Sequence, residues 1–290
     1  MVTPMHEDGS LDLDGAIATA NYLLEHGSDA LVISGTTGEA PTTHAPEKVE
    51  LTEALVEAVG DRATIIAGAG SNDTVHAVRM AEQAAEAGAD AILALTPYYS
   101  KPSQRGVLAH FDAIIDATDL PVMIYDIPGR TALAVSDWVM DELATRETVV
   151  AVKDATGNVP QAAERIQRTG LAWYSGDDGL TLDFLKAGAV GTVSVAAHAA
   201  GDSISRMVHA YLEGDVATAE AEFAAHLPII DAVMGGGLGA VTAKAAMYAL
   251  GVIDSQHMRL PHVVLDDQEY AAFTAALRAA ADDAGGRDAP

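Results

Sequence analysis

One lysine stands at a position where it could do carbonyl chemistry. Lys153 closes the apolar run Val149-Val150-Ala151-Val152, and an amine held among such side chains has its pKa lowered, because burial disfavours the charged form. A neutral amine attacks a ketone, and the resulting iminium withdraws electrons so that a neighbouring methyl becomes an enamine carbon. A lysine at a strand end also commonly snorkels its ammonium into solvent, and position alone leaves both readings open. The chain holds five lysines (Lys48, Lys101, Lys153, Lys186, Lys244), so each can be weighed separately.

Further polar side chains follow other apolar runs. Thr36, Tyr99 and Tyr125 each sit at such an end, and hydroxyls both donate and accept, as a proton relay to a carbinolamine requires. In Gly35-Thr36-Thr37-Gly38-Glu39 the glycines would let backbone N–H groups, with Thr37, approach a bound carboxylate. Arg130 follows the rigid turn Pro128-Gly129 and offers a bidentate partner for a substrate carboxylate. Blander readings compete: a turn that is only a turn, tyrosines that pack or meet a partner, an arginine in a surface ion pair.

The elements that must carry these residues are short. Apolar runs at 29–34, 64–68, 90–96, 121–126, 148–153, 171–175 and 189–195 are candidate buried parallel strands. Helical patterns lie between them, for example at 46–59, 74–87 and 103–117, several opened by Ser, Thr or Pro and closed by glycine, as at Ala87-Gly88. Repeated βα order leaves an open doubly wound sheet or a closed barrel. No G-x-G-x-x-G or G-x-x-x-x-G-K-[ST] accompanies an early strand, which disfavours the first. The expectation is an α/β fold, a (β/α)8 TIM barrel over residues 1–214 followed by a C-terminal helical extension over 215–290, with helices near 215–234, 238–250 and 267–284. The eighth strand is a stub at Met1-Val2-Thr3 before Pro4, so the first strand reads as truncated. Gly235-Gly236-Gly237 reads as a helix stop rather than a phosphate loop, since no strand precedes it.

A chain of 290 residues that is 49% hydrophobic and 20% charged can bury one large core of the size such barrels have. Its net charge of −26 repels nucleic acid and anionic membrane surfaces, and obliges any site for small carboxylates to supply its own cations. Without cysteine there is no disulfide and no thiolate chemistry. The ten histidines show no H-E-x-x-H or paired ligand spacing, so neither a metal nor a cofactor is expected. No apolar run is long enough to span a bilayer and no leader pattern is evident, which points to the cytoplasm.

The ordered set Gly35-Thr36-Thr37-Gly38-Glu39, Thr96-Pro97-Tyr98-Tyr99, Tyr125-Asp126-Ile127-Pro128-Gly129-Arg130-Thr131, Val152-Lys153-Asp154 and Ser175-Gly176-Asp177-Asp178 resembles the dihydrodipicolinate synthase and N-acetylneuraminate lyase superfamily over essentially the whole chain. The resemblance implies that Lys153 forms a Schiff base with pyruvate, that Tyr125 is the central proton donor and acceptor, and that Thr36 and Tyr99 complete the relay. It implies that Thr37 binds the pyruvate carboxylate, that Val193 and Gly176 line the pyruvate pocket, and that Arg130 holds the carboxylate of L-aspartate 4-semialdehyde. Tyr99 would reach the neighbouring subunit's site in a homotetramer. The Gly129-Arg130 pair favours the synthase branch, in the diaminopimelate route to lysine, over 2-keto-3-deoxy sugar acid aldolases and sialic-acid-type lyases using the same Schiff base; a catalytically silent barrel is the alternative from another class.

Three departures from the family pattern stand out. The family pattern has a full strand ahead of the Thr-Pro pair that is Thr3-Pro4 here, so a shortened first strand is expected. The positions of the lysine feedback site carry Ala45, Lys48 and His76 beside Asn72 and Tyr98, and a cationic Lys48 would repel lysine, which implies weak or absent inhibition. Asp126 stands where many members have Asn.

Overall fold

The computed structural model describes residues 1–235 and 239–283. It divides into two compact units, Met1–Thr64 with Val195–Pro290, and Ile65–Ser194.

The first unit opens with α1 (Leu13–Glu25), β1 (Ala30–Ile33) and α2 (Ala45–Val59). Asp12 starts α1 by accepting the Gly15 N–H at 2.8 Å, which satisfies a donor that has no partner inside the helix.

In the second unit, β2 (Thr64–Gly68), α3 (Thr74–Glu86), β3 (Ala91–Leu95), α4 (Gln104–Ile115), β4 (Val122–Asp126), the single turn α5 (Pro128–Thr131), α6 (Asp137–Leu143), β5 (Val149–Asp154), α7 (Val159–Thr169), β6 (Ala172–Ser175), a 3-10 turn (Asp178–Leu180), α8 (Thr181–Lys186) and β7 (Gly191–Thr192) alternate as the sequence pattern requires. Strands β2 to β7 lie side by side in chain order, all parallel. Parallel strands are covered on both faces, which is why they read as continuous apolar runs: Ile92, Val122, Ile124 and Val152 are fully buried. Side-chain caps start the helices between them, Asp73 on α3, Ser103 on α4, Ser136 on α6 and Asn158 on α7. Gly88, at φ +86°, turns the chain out of α3 into β3.

The first unit then resumes with α9 (Ala197–Leu212), α10 (Val216–Met234), α11 (Gly239–Ala249) and α12 (Asp267–Asp283). Val2 packs there with Ala243, Met247 and Ile253. After residue 215 every described element is a helix.

All seven apolar runs form strands, but the last is strand only at Gly191–Thr192, although the Val193 N–H still donates to the Ser175 carbonyl at 2.8 Å. The stub at Met1-Val2-Thr3 forms no strand; an isolated antiparallel bridge joins Met5 to Leu11 instead. Gly236 and Gly237 lie outside the described residues. Among the described residues no single helix is long and apolar enough to cross a membrane.

Candidate active site

Parallel pairing aligns the strand ends of the second unit and so decides what meets there. Leu95 is in register with Tyr125, Tyr125 with Lys153, and Lys153 with Tyr174. Residues in register share a face of the sheet, whereas their immediate neighbours point to the other. Tyr125 and Lys153 therefore lie side by side, and Asp126 and Asp154, also in register, share the opposite face.

Lys153 is half-buried, and its Nζ stands 4.4 Å from the centroid of the Tyr125 ring. That ring face accommodates a cation, whether ammonium or iminium. Burial pushes the Lys153 amine down to about 8, with the Asp178 carboxylate opposing and the Arg130 guanidinium adding to the fall. At pH 7 roughly a tenth of such an amine is neutral, against well under a thousandth for an ordinary lysine. Gly176 makes room for this side chain: a Cβ there would stand 3.1 Å from Lys153 Cε, 3.0 Å from Ala155 Cβ and 3.1 Å from the Asp154 carbonyl oxygen. Its N–H donates to that same carbonyl at 2.7 Å.

Arg130 lies exposed in the α5 turn, close enough for its charge to act on Lys153. Tyr99 is 88% exposed with a left-handed φ of 73°, a conformation a bulky L-residue adopts only when its surroundings impose it. The structure brings together Lys153, Tyr125, Gly176 and the field of Arg130, and leaves Tyr99 on the surface.

Thr36 and Thr37 belong to the other unit and are half-buried in the turn after β1. The Glu39 and Ala40 N–H groups donate to the carbonyls of Thr36 at 3.2 Å and Gly35 at 3.1 Å, closing the turn. Thr3 Oγ1 donates to the Gly38 carbonyl at 2.8 Å, and a Cβ at Gly38 would sit 3.1 Å from both that hydroxyl and the Met1 carbonyl, so glycine is required by close approach. Glu39 is fully buried; its carboxylate accepts from Lys244 Nζ and, at 3.2 Å, from the Arg259 N–H. It serves as the anchor of the turn that presents the two threonines.

Residues 1–280 match the model of the dihydrodipicolinate synthetase family. The chain belongs to that family. It is an enzyme of the dihydrodipicolinate synthetase family, 50% identical over 280 residues to a 4-hydroxy-tetrahydrodipicolinate synthase from Bifidobacterium longum, which covers 97% of this chain and 92% of that protein. Among solved structures it is similar to a dihydrodipicolinate synthase from Bacillus anthracis (37% identity, TM-score 0.90, 96% of this chain and 95% of that one). It is similar too to the enzyme from Cyanidioschyzon merolae with lysine bound (38% identity, TM-score 0.91, 98% and 96%).

Three residues that matter in this family member escaped the reading of its sequence. Asp178 acts on Lys153 electrostatically, and its only signal was a place in the Ser175-Gly176-Asp177-Asp178 motif. Trp173, fully buried, donates its indole N–H to Asp154 Oδ2 at 3.0 Å. Arg165, also buried, occupies a helix whose charge pattern reads as a solvated face.

Proposed function

We propose that the chain is a 4-hydroxy-tetrahydrodipicolinate synthase, condensing pyruvate with L-aspartate 4-semialdehyde through a Schiff base on Lys153. The observation that carries the reading is the Lys153 amine, brought to about 8 by burial and laid over the Tyr125 ring. Its lone pair adds to the ketone carbon of pyruvate, and loss of water from the carbinolamine leaves the iminium. Release of a methyl proton gives the enamine, whose carbon adds to the aldehyde of the second substrate. Tyr125 moves protons between these species, with Thr36 and Tyr99 completing the relay. Thr37 binds the pyruvate carboxylate, and Gly176 and Val193 line its pocket. Arg130, the exposed cation whose field reaches Lys153, takes the carboxylate of the semialdehyde.

The same reading supplies a (β/α)8 barrel over 1–214 with a helical extension over 215–290. It also supplies a homotetramer in which Tyr99 crosses a subunit boundary. The near-complete exposure and left-handed φ of Tyr99 support that last role. The half-buried Lys48, whose Nζ donates to the Ala40 carbonyl at 3.0 Å, supports weak feedback by lysine, and half-maximal inhibition below millimolar lysine would refute it.

The deciding experiment is borohydride trapping with pyruvate followed by peptide mapping, then turnover of aspartate semialdehyde beside a panel of 2-keto-3-deoxy sugar acids. A reduced pyruvyl group on Lys153 with turnover of the semialdehyde is expected. Sugar-acid cleavage without semialdehyde turnover would shift the substrate, and no adduct at all would end the Schiff-base reading.

A further inference from the structure

The face of the sheet opposite Lys153 holds a buried ion cluster that the chemistry above leaves unused. Asp126 closes β4, and both its carboxylate oxygens are engaged: Oδ1 accepts the Val135 N–H at 3.2 Å and Oδ2 accepts from Arg165 Nη1 at 3.2 Å. Arg165 Nη2 donates to the Val135 carbonyl at 2.8 Å. Asp126, Arg165 and Val135 thus form a closed ring that grips both polar groups of Val135, and all three residues are buried. The third guanidinium nitrogen, Nε, donates to Asp137 Oδ1 at 2.8 Å at the start of α6.

The segment between the two gripped points, residues 127–134, carries Arg130 at its tip. Its base is tied to the catalytic strand as well, since the Asp126 carbonyl accepts the Ala155 N–H at 2.9 Å, two residues beyond Lys153. A buried ion pair is a poor way to gain stability, because desolvation of two charges offsets most of their attraction. What an arginine supplies that an apolar side chain does not is a fixed fork of donors, here spread over a carboxylate, a peptide carbonyl and a second carboxylate.

We infer that Arg165 is a positioning residue for the second substrate: with Asp126 it fixes the base of the loop that presents Arg130, so its loss loosens recognition of the semialdehyde carboxylate while leaving pyruvate capture intact. This rests on the role of Arg130 proposed above. Displacing a carboxylate-binding group by a fraction of an ångström weakens what it binds far more than it alters, through its field, an amine whose pKa is set mainly by burial.

The test uses the full-length enzyme and the variants Arg165→Lys, Asp126→Asn/Arg165→Met, Arg130→Ala and Arg130→Ala/Arg165→Lys. Lysine keeps the charge but not the fork; the double variant removes both buried charges at once and serves where Arg165→Lys fails to fold. We expect KM for the semialdehyde to rise roughly tenfold in Arg165→Lys, with borohydride trapping of pyruvate within about twofold of wild type. The Val135 amide should also lose protection from hydrogen exchange. Because the effect runs through Arg130, adding Arg165→Lys to Arg130→Ala should change that KM by no more than about twofold.

A folded Arg165→Lys with an unchanged KM, or with pyruvate trapping lost in step with KM, overturns the inference and leaves Arg165 a structural residue. Arg130→Ala with an unchanged KM removes the reading of Arg130 and the inference together. Arg130→Ala with a raised KM beside a silent Arg165→Lys removes the inference alone.

Discussion

Two lysines are taken out of bulk water in this molecule, and they are treated in opposite ways. Lys244 in α11 is fully buried, with its ammonium bonded to the Glu39 carboxylate and, at 2.8 Å, to the His257 carbonyl. Lys153 at the end of β5 faces the Tyr125 ring at 4.4 Å instead. Burial pushes both amines down, and each has a carboxylate opposing the fall and an arginine adding to it, Glu39 and Arg259 at Lys244, Asp178 and Arg130 at Lys153; the difference is that Glu39 also takes a hydrogen bond from Lys244. A buried lysine whose ammonium is bonded directly to a buried carboxylate stays a structural cation, whereas one that meets its carboxylate as a field and is dominated by desolvation gives up its proton more readily.

The widest separation of the two comes from deleting each. Lys153→Met should form no borohydride-trapped pyruvate adduct and lose turnover by on the order of 10⁴-fold or more. It should unfold no more easily than wild type, since the desolvation of the amine that it removes outweighs the opposing Asp178 carboxylate. Lys244→Met should lose about 3–5 kcal/mol in denaturant melts, because it strands the buried Glu39 carboxylate, yet its folded fraction should still trap pyruvate. A Lys244→Met protein that is as stable as wild type would break the comparison from one side, and an adduct in Lys153→Met would break it from the other.

Tyr125→Phe keeps the ring under Lys153 and removes only the hydroxyl. The amine should remain depressed and pyruvate should still be captured, while kcat falls about 10²–10⁴-fold, the range of a lost general acid or base. If kcat is unchanged in a protein with wild-type circular dichroism, Tyr125 is a platform for the charge and not a proton carrier.

The difference between the two lysines also marks how far the sequence could be read. Lys153 and Tyr125 were legible because each ends an apolar run, and parallel strands in order place consecutive strand ends side by side. The partnership of Lys244 with Glu39 spans 205 positions, and Val-Thr-Ala-Lys-Ala-Ala in a helix gives no hint that its lysine faces inward. Arg165 was hidden for a related reason: Glu164-Arg165-Ile166-Gln167-Arg168 reads as an exposed turn of helix, and only the fold shows one of its arginines buried and paired with Asp126. The seven strands were found because burial on both faces forces apolar runs. The short β7 was over-read because only Gly191 and Thr192 are strand, paired with Tyr174 and Ser175, although Val190 and Val193 still donate to the carbonyls of Trp173 and Ser175.

A smaller effect separates the lysines by pH. On the proposed mechanism the Lys153 amine must be neutral to attack, so adduct formation should climb about tenfold per unit below its pKa of about 8 and level off above it. Folding lowers this pKa from its ordinary value of 10.5, so between the two values the unfolded chain binds more protons than the folded one and stability rises with pH. Lys153→Met should flatten that rise, with the remainder left by Lys244 and Lys48, whose amines burial also pushes down, and an unchanged slope in urea melts at pH 8 to 10 would remove Lys153 as its source.

The smallest predicted effect asks how closely Lys153 is held. A Cβ at Gly176 would press on Lys153 Cε, which can swing, and on Ala155 Cβ and the Asp154 carbonyl, which belong to the end of β5 and cannot. At Gly179, in the same loop, a Cβ would meet only Asp177 Oδ1 at 3.7 Å, an ordinary contact. Gly176→Ala should therefore cost about 1–3 kcal/mol from overpacking and slow pyruvate trapping several-fold, roughly the penalty of a displaced nucleophile, whereas Gly179→Ala should leave trapping as in wild type. Equal behaviour of the two would mean that the amine finds its place without the clearance at Gly176, and that the Tyr125 ring alone sets its position.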